Sequence, residues 1–319
     1  MLRSILIYFS KAAWAQRIVT HWKIARFVAS RFVSGETIAD AIRAIRDLNA
    51  LNINATLDHL GENTSTSAEA ESATEEIIEV IKQIDKSGVR SNVSIKLTQL
   101  GLTLDEELAS RNLEKIVACA TKYRNFVRID MEDTPYTDVT IGLFRKLRQK
   151  GYDNVGLVLQ SYLYRTEEDL RKLLAEGARF RLVKGAYKEP PDLAFPKKAD
   201  SNANFDLLTR MMIDASLSAG SPGNSKDGRL PPIPALGSHD EKRIAFAKQY
   251  GEKVGLPRRA IEFQMLYGIR RDLQIRLVKE GYPVRVYVPY GTHWYPYFMR
   301  RLAERPANLW FFFSNFFKK

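Results

Sequence analysis

The sequence predicts an α/β fold in which eight parallel strands close into a barrel. From residue 55 onward, short apolar runs rich in β-forming residues alternate with longer segments of helical period, the pattern of β/α units around a parallel sheet. Eight such pairs follow one another, and eight repeats favour a closed barrel over an open, doubly wound sheet. The length of 319 residues suits one barrel with a short extension, because such barrels commonly take about 250 residues.

Each predicted strand is followed by a predicted helix. The strand candidates are residues 55–60, 92–97, 126–131, 155–160, 180–184, 235–239, 261–266 and 284–290. The helix candidates are residues 68–87, 106–122, 138–150, 166–176, 202–219, 241–250, 269–280 and 294–304. We therefore expect a catalytic barrel over residues 55–319, preceded by an N-terminal helical extension over residues 1–54.

Turn residues support several of these boundaries. Left-handed glycines commonly end helices, and four glycines follow helical runs at such positions: Gly88, Gly151, Gly177 and Gly281. Residues 221–232 are rich in Pro, Gly and Ser and predict a flexible surface loop, with a functional lid as the alternative. Residues 187–203 are also irregular, and because they directly follow a strand they belong to the face on which barrels carry their chemistry.

Composition and charge restrict the class of protein. The net charge of +12 does not by itself indicate nucleic acid, because most Lys and Arg are interspersed with Asp and Glu. The first 35 residues are the exception, being basic and amphipathic with no acidic residue before Glu36. They predict either a helix that packs against the barrel or one that rests on an anionic membrane surface. No apolar run reaches the roughly 18 residues of a membrane span, and the lone Cys119 fits a reducing cytoplasm.

Several motif classes are absent from the sequence. It contains no G-x-G-x-x-G fingerprint, no phosphate-binding P-loop, no G-x-S-x-G elbow, no H-E-x-x-H and no C-x-x-C pair. A dinucleotide cofactor would therefore bind without a Rossmann domain. The four histidines are scattered, with no matched Cys or carboxylate spacing, so we expect no metal site.

A polar residue stands at or near the end of every predicted strand. In a β/α barrel the loops after the strands form the active face, and burying so many polar groups in one ring is costly unless they meet ligands or each other. We therefore expect the functional site at this face. The polar residues are Glu62, Lys96, Asp130, Gln160, Arg181 with Lys184, His239, Gln264 and Tyr287.

The last predicted helix carries a second group of candidate residues. Arg300 and Arg301 are neighbours in sequence and project about 100° apart on a helix, so their long side chains can converge on one anion from two directions. Glu304 lies within helical reach of both arginines, and Tyr297 faces the same side. An ordinary salt bridge on the helix surface is the alternative interpretation.

Several segments resemble the proline dehydrogenase family in its compact, monofunctional bacterial form. The resemblance runs in order from about Glu36 to the C-terminus, and the motif R-L-V-K-G-A-Y and the paired arginines are its most specific parts. It implies a distorted (βα)8 TIM barrel that holds FAD non-covalently. The matching segments are L-D-H-L-G-E (57–62), V-S-I-K-L-T (93–98), V-R-I-D-M-E (127–132), Q-S-Y (160–162), R-L-V-K-G-A-Y (181–187), F-Q-M-L-Y-G (263–268) and R-R-L (300–302).

The resemblance assigns cofactor roles by motif position. Arg181 would lie near the reactive N5 edge of the flavin, where a fixed positive charge favours the reduced, anionic form. The family often has threonine where this chain has Ser238, which keeps the hydroxyl. The other implied FAD contacts are Met131, Gln160, Val183, Lys184, Gly185, Ala186, Ser238 and His239.

The resemblance also implies a substrate site. Arg300 and Arg301 would bind the carboxylate of L-proline through charge-assisted hydrogen bonds. Lys96 would be a further carboxylate contact, held by the catalytic residue Asp130, and Glu62 would pair with Arg300 to close the pocket from solvent. The residues that would enclose the proline methylenes are Leu266, Tyr287 and Tyr297.

The implied reaction is oxidation of L-proline to 1-pyrroline-5-carboxylate, the first step of proline breakdown to glutamate, with electrons passed from FAD to a membrane quinone. 1-Pyrroline-5-carboxylate dehydrogenase is the expected partner that takes up the product. We expect a cytoplasmic protein with peripheral contact at the inner face of the membrane, supported by the basic first 35 residues and the aromatic tail at 310–317. For the tail, packing on the barrel is the alternative.

Two other functions are kept open by the sequence. One is a barrel enzyme that uses the same strand-end residues on a different small amino acid or on a phosphorylated substrate. The other is a basic protein that binds a membrane or nucleic acid and uses the barrel as a scaffold, with binding that weakens steeply with salt.

Overall fold

A computed structural model describes residues 28–304 of the chain. Its centre is a closed barrel of eight parallel strands, in which each strand pairs with the next and the eighth pairs with the first. The predicted barrel is therefore confirmed. The strands are β1 (Asn54–His59), β2 (Ser91–Ile95), β3 (Val127–Ile129), β4 (Val155–Gln160), β5 (Phe180–Val183), β6 (Pro234–Gly237), β7 (Glu262–Leu266) and β8 (Val284–Tyr290).

Helices surround the barrel, and several begin at a capping side chain. Thr37 forms a reciprocal capping box with Asp40, while Thr66, Asp105 and Asp240 each accept a hydrogen bond from a backbone N–H two or three residues further on. The helices are α1 (Ile38–Ala50), α2 (Ser67–Ser87), α3 (Glu106–Lys122), α4 (Thr137–Gln149), α5 (Thr166–Ala175), α6 (Lys198–Ser218), α7 (Glu241–Lys253), α8 (Arg271–Lys279) and α9 (Trp294–Glu304).

The barrel is distorted at its last unit. In a regular barrel the helix after β8 packs beside the sheet, but here α1 packs against β1 and β8 instead. The apolar side of α9, including Trp294 and Phe298, belongs to a separate cluster with Leu60 and residues 28–33. Because Leu60 follows the carboxyl end of β1, α9 lies across the mouth of the barrel rather than along its flank.

A short segment before α1 holds this covering helix in place. The backbone N–H and the hydroxyl of Ser34 both donate to the carbonyl of Pro289, at 2.9 and 3.1 Å. Gly268 has a φ of +72°, and a Cβ there would lie 1.7 Å from the carbonyl oxygen of Arg31. Only glycine allows this close approach. Residues 28–35 therefore pack against the end of β8 and against the loop that follows β7.

Alternate residues of each strand point into the barrel, and many of these inward residues are polar. Two layers follow one another from the amino end to the carboxyl end of the strands. The lower layer contains Thr56, Asn92, Arg128, Glu262 and Arg285, all buried. The upper layer contains Asp58, Ser94, Asp130, Arg181, Gln264 and Tyr287.

The loop at 221–232 closes the amino end of this interior, so the prediction of a surface loop is wrong for residues 228, 229, 231 and 232, which are buried. Buried Arg285 donates to the carbonyl of Gly228 at 2.6 Å, and buried Asn92 donates to the carbonyl of Arg229 at 2.9 Å. Arg229 is itself buried and donates to Asp85 at 3.1 Å.

The predicted element boundaries hold to within a few residues. Gly88, Gly151, Gly177 and Gly281 all adopt positive φ after a helix, as predicted. The largest differences are at α6, which begins at Lys198 rather than at residue 202, and at α7, which ends at Lys253 rather than at residue 250.

The remaining predictions about organisation fall partly outside the described residues. The basic stretch before residue 28 and the tail at 310–317 lie outside the described residues. The division of the chain at residue 54 stays a prediction. Within residues 28–304, no helix is both long and apolar enough to cross a membrane.

Replacing Gly156 with alanine should destabilise the barrel. Gly156 points inward in β4, where a Cβ would lie 2.4 Å from the carbonyl of Arg179 and 2.7 Å from a guanidinium nitrogen of buried Arg128. We expect Gly156→Ala to lower the free energy of unfolding by about 1–3 kcal/mol, measured by urea denaturation. Gly142→Ala is the matched control, because nothing lies within 4 Å of a Cβ there and alanine favours a helix by about 0.5–1 kcal/mol. Equal stability of the two variants would contradict the clash.

Candidate active site

The upper layer of the barrel and the covering helix α9 meet in one group of charged side chains. Strand alternation points the residues of the upper layer to the mouth. Glu62, in the loop after β1, and Arg300, on α9, meet them there. We call this group the central charge cluster. Its members are Asp58, Glu62, Lys96, Asp130, Arg181, Tyr287 and Arg300.

Lys96 is the centre of the cluster. Its Nζ lies 3.4 Å from Asp130, 3.5 Å from Asp58 and 3.6 Å from Glu62, and it donates to the hydroxyl of Tyr287 at 3.2 Å. Burial disfavours the charged ammonium, but the surrounding acidic groups outweigh burial and hold the pKa of Lys96 well above its ordinary value. Lys96 is therefore a fixed cation at the mouth of the barrel.

Asp130 joins Lys96 to Arg181. One carboxylate oxygen of Asp130 accepts from Arg181 at 2.8 Å, and the other accepts from the hydroxyl of Tyr287 at 2.7 Å. Burial raises the pKa of Asp130, yet Lys96 and Arg181 together bring it below its usual value. The guanidinium of Arg181 also lies 5.2 Å from the centre of the Tyr287 ring, so these groups hold each other in one arrangement.

Glu62 and Arg300 form the contact between the barrel and α9. Two guanidinium nitrogens of Arg300 donate to the two oxygens of Glu62, at 3.0 and 2.7 Å. Burial opposes ionisation of Glu62, but Lys96 and Arg300 hold its pKa below the ordinary value. The predicted pair is thus present in the structure, and its role as a gate stays a prediction.

Arg301 leaves α9 in another direction. Its guanidinium lies 5.0 Å from the centre of the ring of Tyr297, which is buried. Arg300 points to Glu62, so the two arginines have different neighbours, as their angular separation on a helix requires. The side chain of Glu304, predicted to hold one of them, lies outside the described part of the structure.

The sequence analysis did not single out Asp58 as a site residue. Asp58 is buried, its Oδ2 faces Lys96, and its Oδ1 has no hydrogen-bond partner among the described residues. Burial raises the pKa of this carboxyl to about 6, partly opposed by Lys96. The signal that identifies Asp58 is the two-residue period of β1, because Asp58 follows inward-facing Thr56 by two positions.

Two further residues of this face were also missed. Glu132 is buried and accepts from the hydroxyl and the backbone N–H of Thr98, at 2.6 and 3.0 Å. Burial raises the pKa of Tyr187, and the charges of Glu62 and Glu132 raise it further, which places Tyr187 at the rim beside the Glu62–Arg300 pair. Tyr187 is the last residue of R-L-V-K-G-A-Y, and no strand period marks it because it stands in a loop.

The residues expected to contact a cofactor lie on the β4 to β6 side of the mouth. Gln160 donates to the carbonyl of Glu132 at 3.0 Å. Lys184 pairs with Asp240 at 2.6 Å, away from the central charge cluster. Gly185 has a φ of +114°, where a Cβ would overlap the ring of Tyr162.

The other expected cofactor residues continue the same side. Val183 ends β5, with Ala186 just beyond Gly185 in the following loop, and Met131 is buried directly after Asp130. The hydroxyl of Ser238 accepts from the backbone N–H of Asp240 at 3.1 Å, and His239 accepts from the backbone N–H of Leu266 at 3.0 Å.

The fold and the site define a β/α-barrel enzyme with a charged pocket at the carboxyl ends of its strands. The predicted strand-end residues divide into two sets, because Lys96, Asp130, Arg181 and Tyr287 meet in the central charge cluster while Lys184 and His239 stand apart from it.

Comparison with known proteins identifies the family. A sequence model described as "Proline dehydrogenase" matches residues 41–312. The chain is 40% identical to proline dehydrogenase 2 of Bacillus subtilis over 99% of both proteins, and 41% identical to proline dehydrogenase of Deinococcus radiodurans over 91% of this chain and 90% of that protein. The solved structure of proline utilization A from Bdellovibrio bacteriovorus, inactivated by N-propargylglycine, superposes with a TM-score of 0.78 at 26% identity, over 95% of this chain and 35% of that one.

The chain belongs to the proline dehydrogenase family. It is an oxidoreductase of proline breakdown, as the resemblance of its motifs implied. The two other functions kept open by the sequence, a barrel enzyme for a different substrate and a basic scaffold protein, find no support in these comparisons.

Asp58 should make the stability of the protein depend on pH. Burial raises its pKa from 3.8 to about 6, so folding takes up a proton at Asp58 between these values, and the stabilisation present at low pH is lost as the pH rises through about 6. Between about pH 5 and about pH 8, the free energy of unfolding should fall by about 1–2 kcal/mol more in the wild type than in Asp58→Asn. Urea unfolding of both proteins at each pH measures this. An identical pH dependence would show that Asp58 does not titrate in this range.

Proposed function

We propose that this chain oxidises L-proline to 1-pyrroline-5-carboxylate with FAD as its cofactor and a quinone as the final electron acceptor. The observation that carries the proposal is the central charge cluster under α9, where Lys96, Arg181 and Arg300 are held at one buried mouth. Arg301 follows Arg300 on the same helix. Cationic side chains gathered in this way bind the carboxylate of an amino acid by charge-assisted hydrogen bonds.

The side of the mouth around β5 and β6 suits a flat, extended cofactor. The inward positions of β6 are the small residues Ala235 and Gly237. A Cβ on Gly237 would lie 2.8 Å from Val183, so this position has no room for a side chain and β6 presents its backbone there. Donor groups surround this space, and they are acceptable partners for the carbonyls and phosphates of FAD. The residues that would hold FAD are Met131, Gln160, Arg181, Val183, Lys184, Gly185, Ala186, Ser238 and His239.

When bound, FAD would supply the hydride acceptor that the side chains of the protein lack. The chain's own contribution is charge and position. Asp130 fixes the guanidinium of Arg181 through the 2.8 Å ion pair. A fixed cation at this place would favour a reduced, anionic flavin, which is the role we propose for Arg181.

Substrate binding would use the opposite side of the mouth. Arg300, Arg301 and Lys96 would bind the proline carboxylate by charge-assisted hydrogen bonds, with Asp130 orienting Lys96. The Glu62–Arg300 pair would close the pocket and exclude water. The apolar walls around the methylenes would be the side chains of Leu266, Tyr287 and Tyr297.

Electron transfer to a membrane quinone would require contact with the membrane surface. The basic, amphipathic residues before position 28 and the aromatic tail at 310–317 support a peripheral contact from the cytoplasmic side. Liposome flotation of the protein with and without these residues tests this contact, and equal flotation would argue against it.

We propose 1-pyrroline-5-carboxylate dehydrogenase as the partner that takes up the product, because the product of the proposed reaction is the substrate of that enzyme. This chain covers 35% of the matched proline utilization A chain.

The flavin spectrum of the purified protein tests the proposed reaction directly. We expect the absorbance of oxidised FAD to bleach when proline is added without oxygen, and to return when a soluble quinone is supplied. A protein that takes up FAD but keeps its oxidised spectrum in proline would contradict the proposed substrate, and a protein that binds no FAD would contradict the cofactor.

Arg301→Met should weaken proline binding without disturbing the fold or the flavin. Removing one charged partner of a closed site costs about 2 kcal/mol or more, so the proline concentration for half-maximal rate should rise by about 30-fold or more. Steady-state kinetics measure this, with the flavin spectrum as a check on cofactor binding. Arg171→Met is the matched control, since Arg171 forms only surface ion pairs with Glu167 and Glu168. Unchanged proline kinetics in Arg301→Met would remove Arg301 from the site.

A further inference from the structure

Beneath Arg181, a line of hydrogen bonds crosses the barrel interior from the active face to the opposite end. Arg181 Nε donates to Gln264 Oε1 at 2.5 Å, and Gln264 Nε2 donates to Glu262 Oε1 at 2.5 Å. Arg285 then donates to both oxygens of Glu262, at 2.9 and 3.1 Å. All four side chains are buried, so water does not replace any of these contacts.

Only one orientation of the Gln264 amide satisfies this line. A guanidinium is a donor only, and a carboxylate is an acceptor only. Gln264 must therefore turn its oxygen to Arg181 and its NH2 group to Glu262. If the amide were reversed, two donors would face each other at Arg181 and two acceptors at Glu262, and each buried mismatch costs free energy.

The lower end of the line is anchored by the backbone. Arg285 donates to the carbonyl of Ala55 at 2.7 Å and to the carbonyl of Gly228 at 2.6 Å, and it reaches the side chain of Asn224 at 3.2 Å. Gly228 and Asn224 belong to the loop at 221–232 that closes the amino end of the barrel. Arg285 therefore fixes the position of the Glu262 carboxylate, and this carboxylate accepts the hydrogen bond from the Gln264 amide at one defined point.

We propose that Glu262 is a positioning residue for Arg181 and acts through Gln264. Two other contacts hold the outer nitrogens of the guanidinium, one from Asp130 at 2.8 Å and one from Ser94 at 3.1 Å. Gln264 is the partner of Nε, which sets the rotation of the guanidinium plane. The inference rests on the proposed role of Arg181 beside the flavin, and it extends that site to a carboxylate in the layer below.

Loss of the Glu262 charge should affect the flavin more than proline binding. In Glu262→Gln, either Arg285 or Gln264 must face a donor, so the acceptor that holds the Gln264 amide from below is weakened or lost. Arg181 would then shift, and its charge would favour the reduced flavin less. Glu262 and Gln264 belong to β7. The groups proposed to bind the carboxylate lie on other elements, Lys96 after β2 and Arg300 and Arg301 on α9.

The test compares Glu262→Gln with Thr56→Val in the flavin-loaded enzyme. Thr56 is buried in the same layer, and its hydroxyl donates to Asn92 at 2.6 Å, outside the line. We expect Glu262→Gln to shift the flavin reduction potential to a more negative value and to lower kcat about tenfold, with the proline KM changed less than about twofold. Thr56→Val should keep the wild-type potential. A Glu262→Gln potential equal to that of Thr56→Val would overturn the proposal.

A double-mutant cycle distinguishes this inference from the proposed function on which it rests. Arg181→Lys alone should also shift the potential, and adding Glu262→Gln to it should produce no further shift. An additive shift would show that Glu262 acts on its own and would overturn the proposal while leaving Arg181 beside the flavin. A wild-type potential in Arg181→Lys would instead refute the proposed role of Arg181, and the positioning role with it.

A second variant covers the case in which Glu262→Gln does not fold. Gln264→Met removes the middle of the line and leaves the Glu262–Arg285 ion pair intact. It should give the same negative shift in potential, and a potential equal to that of Thr56→Val would overturn the proposal.

Discussion

Lys96 is a largely buried ammonium group, 11% exposed, among three carboxylates, and the arrangement of the barrel mouth depends on keeping these charges paired. A buried charge without a partner costs several kcal/mol, so each cation of the central charge cluster must remain beside an acid. Asp130 lies between Lys96 and Arg181, and Glu62 lies between Lys96 and Arg300. The positions of β2, β3, β5 and α9 around the mouth are thereby coupled to one another.

The same pairing explains why the last helix lies across the barrel. Arg300 reaches Glu62 only because α9 lies over the mouth, and α1 packs on the flank that this position would otherwise leave open. Residues 28–35 are fixed by backbone contacts with Gly268 and the end of β8, and their apolar side chains pack against α9. Closing a charged site in this way removes water, which strengthens every electrostatic contact inside it. The departure from a regular barrel is therefore part of the site.

The barrel interior carries polar residues below the site as well. Glu262 and Arg285 form a fully buried ion pair, and the carbonyls of Ala55 and Gly228 satisfy the remaining guanidinium donors. The sequence analysis interpreted 221–232 as a surface loop because Pro, Gly and Ser are common in such loops. Composition does not reveal that a loop backbone will supply acceptors to a buried arginine 57 residues away, since that contact exists only once the barrel closes.

The sequence by itself determined the number and order of the β/α units, the ends of most helices and the end of the barrel at which the polar strand-end residues gather. These features depend on local rules: the two-residue period of strands, the helical period and left-handed glycines such as Gly88. Only the tertiary structure decided that Asp58 joins the central charge cluster, that α9 covers the mouth and that Glu262 supports Arg181 through Gln264. These contacts join residues far apart in the chain, and their geometry follows from the closure and register of the barrel, which no local pattern encodes.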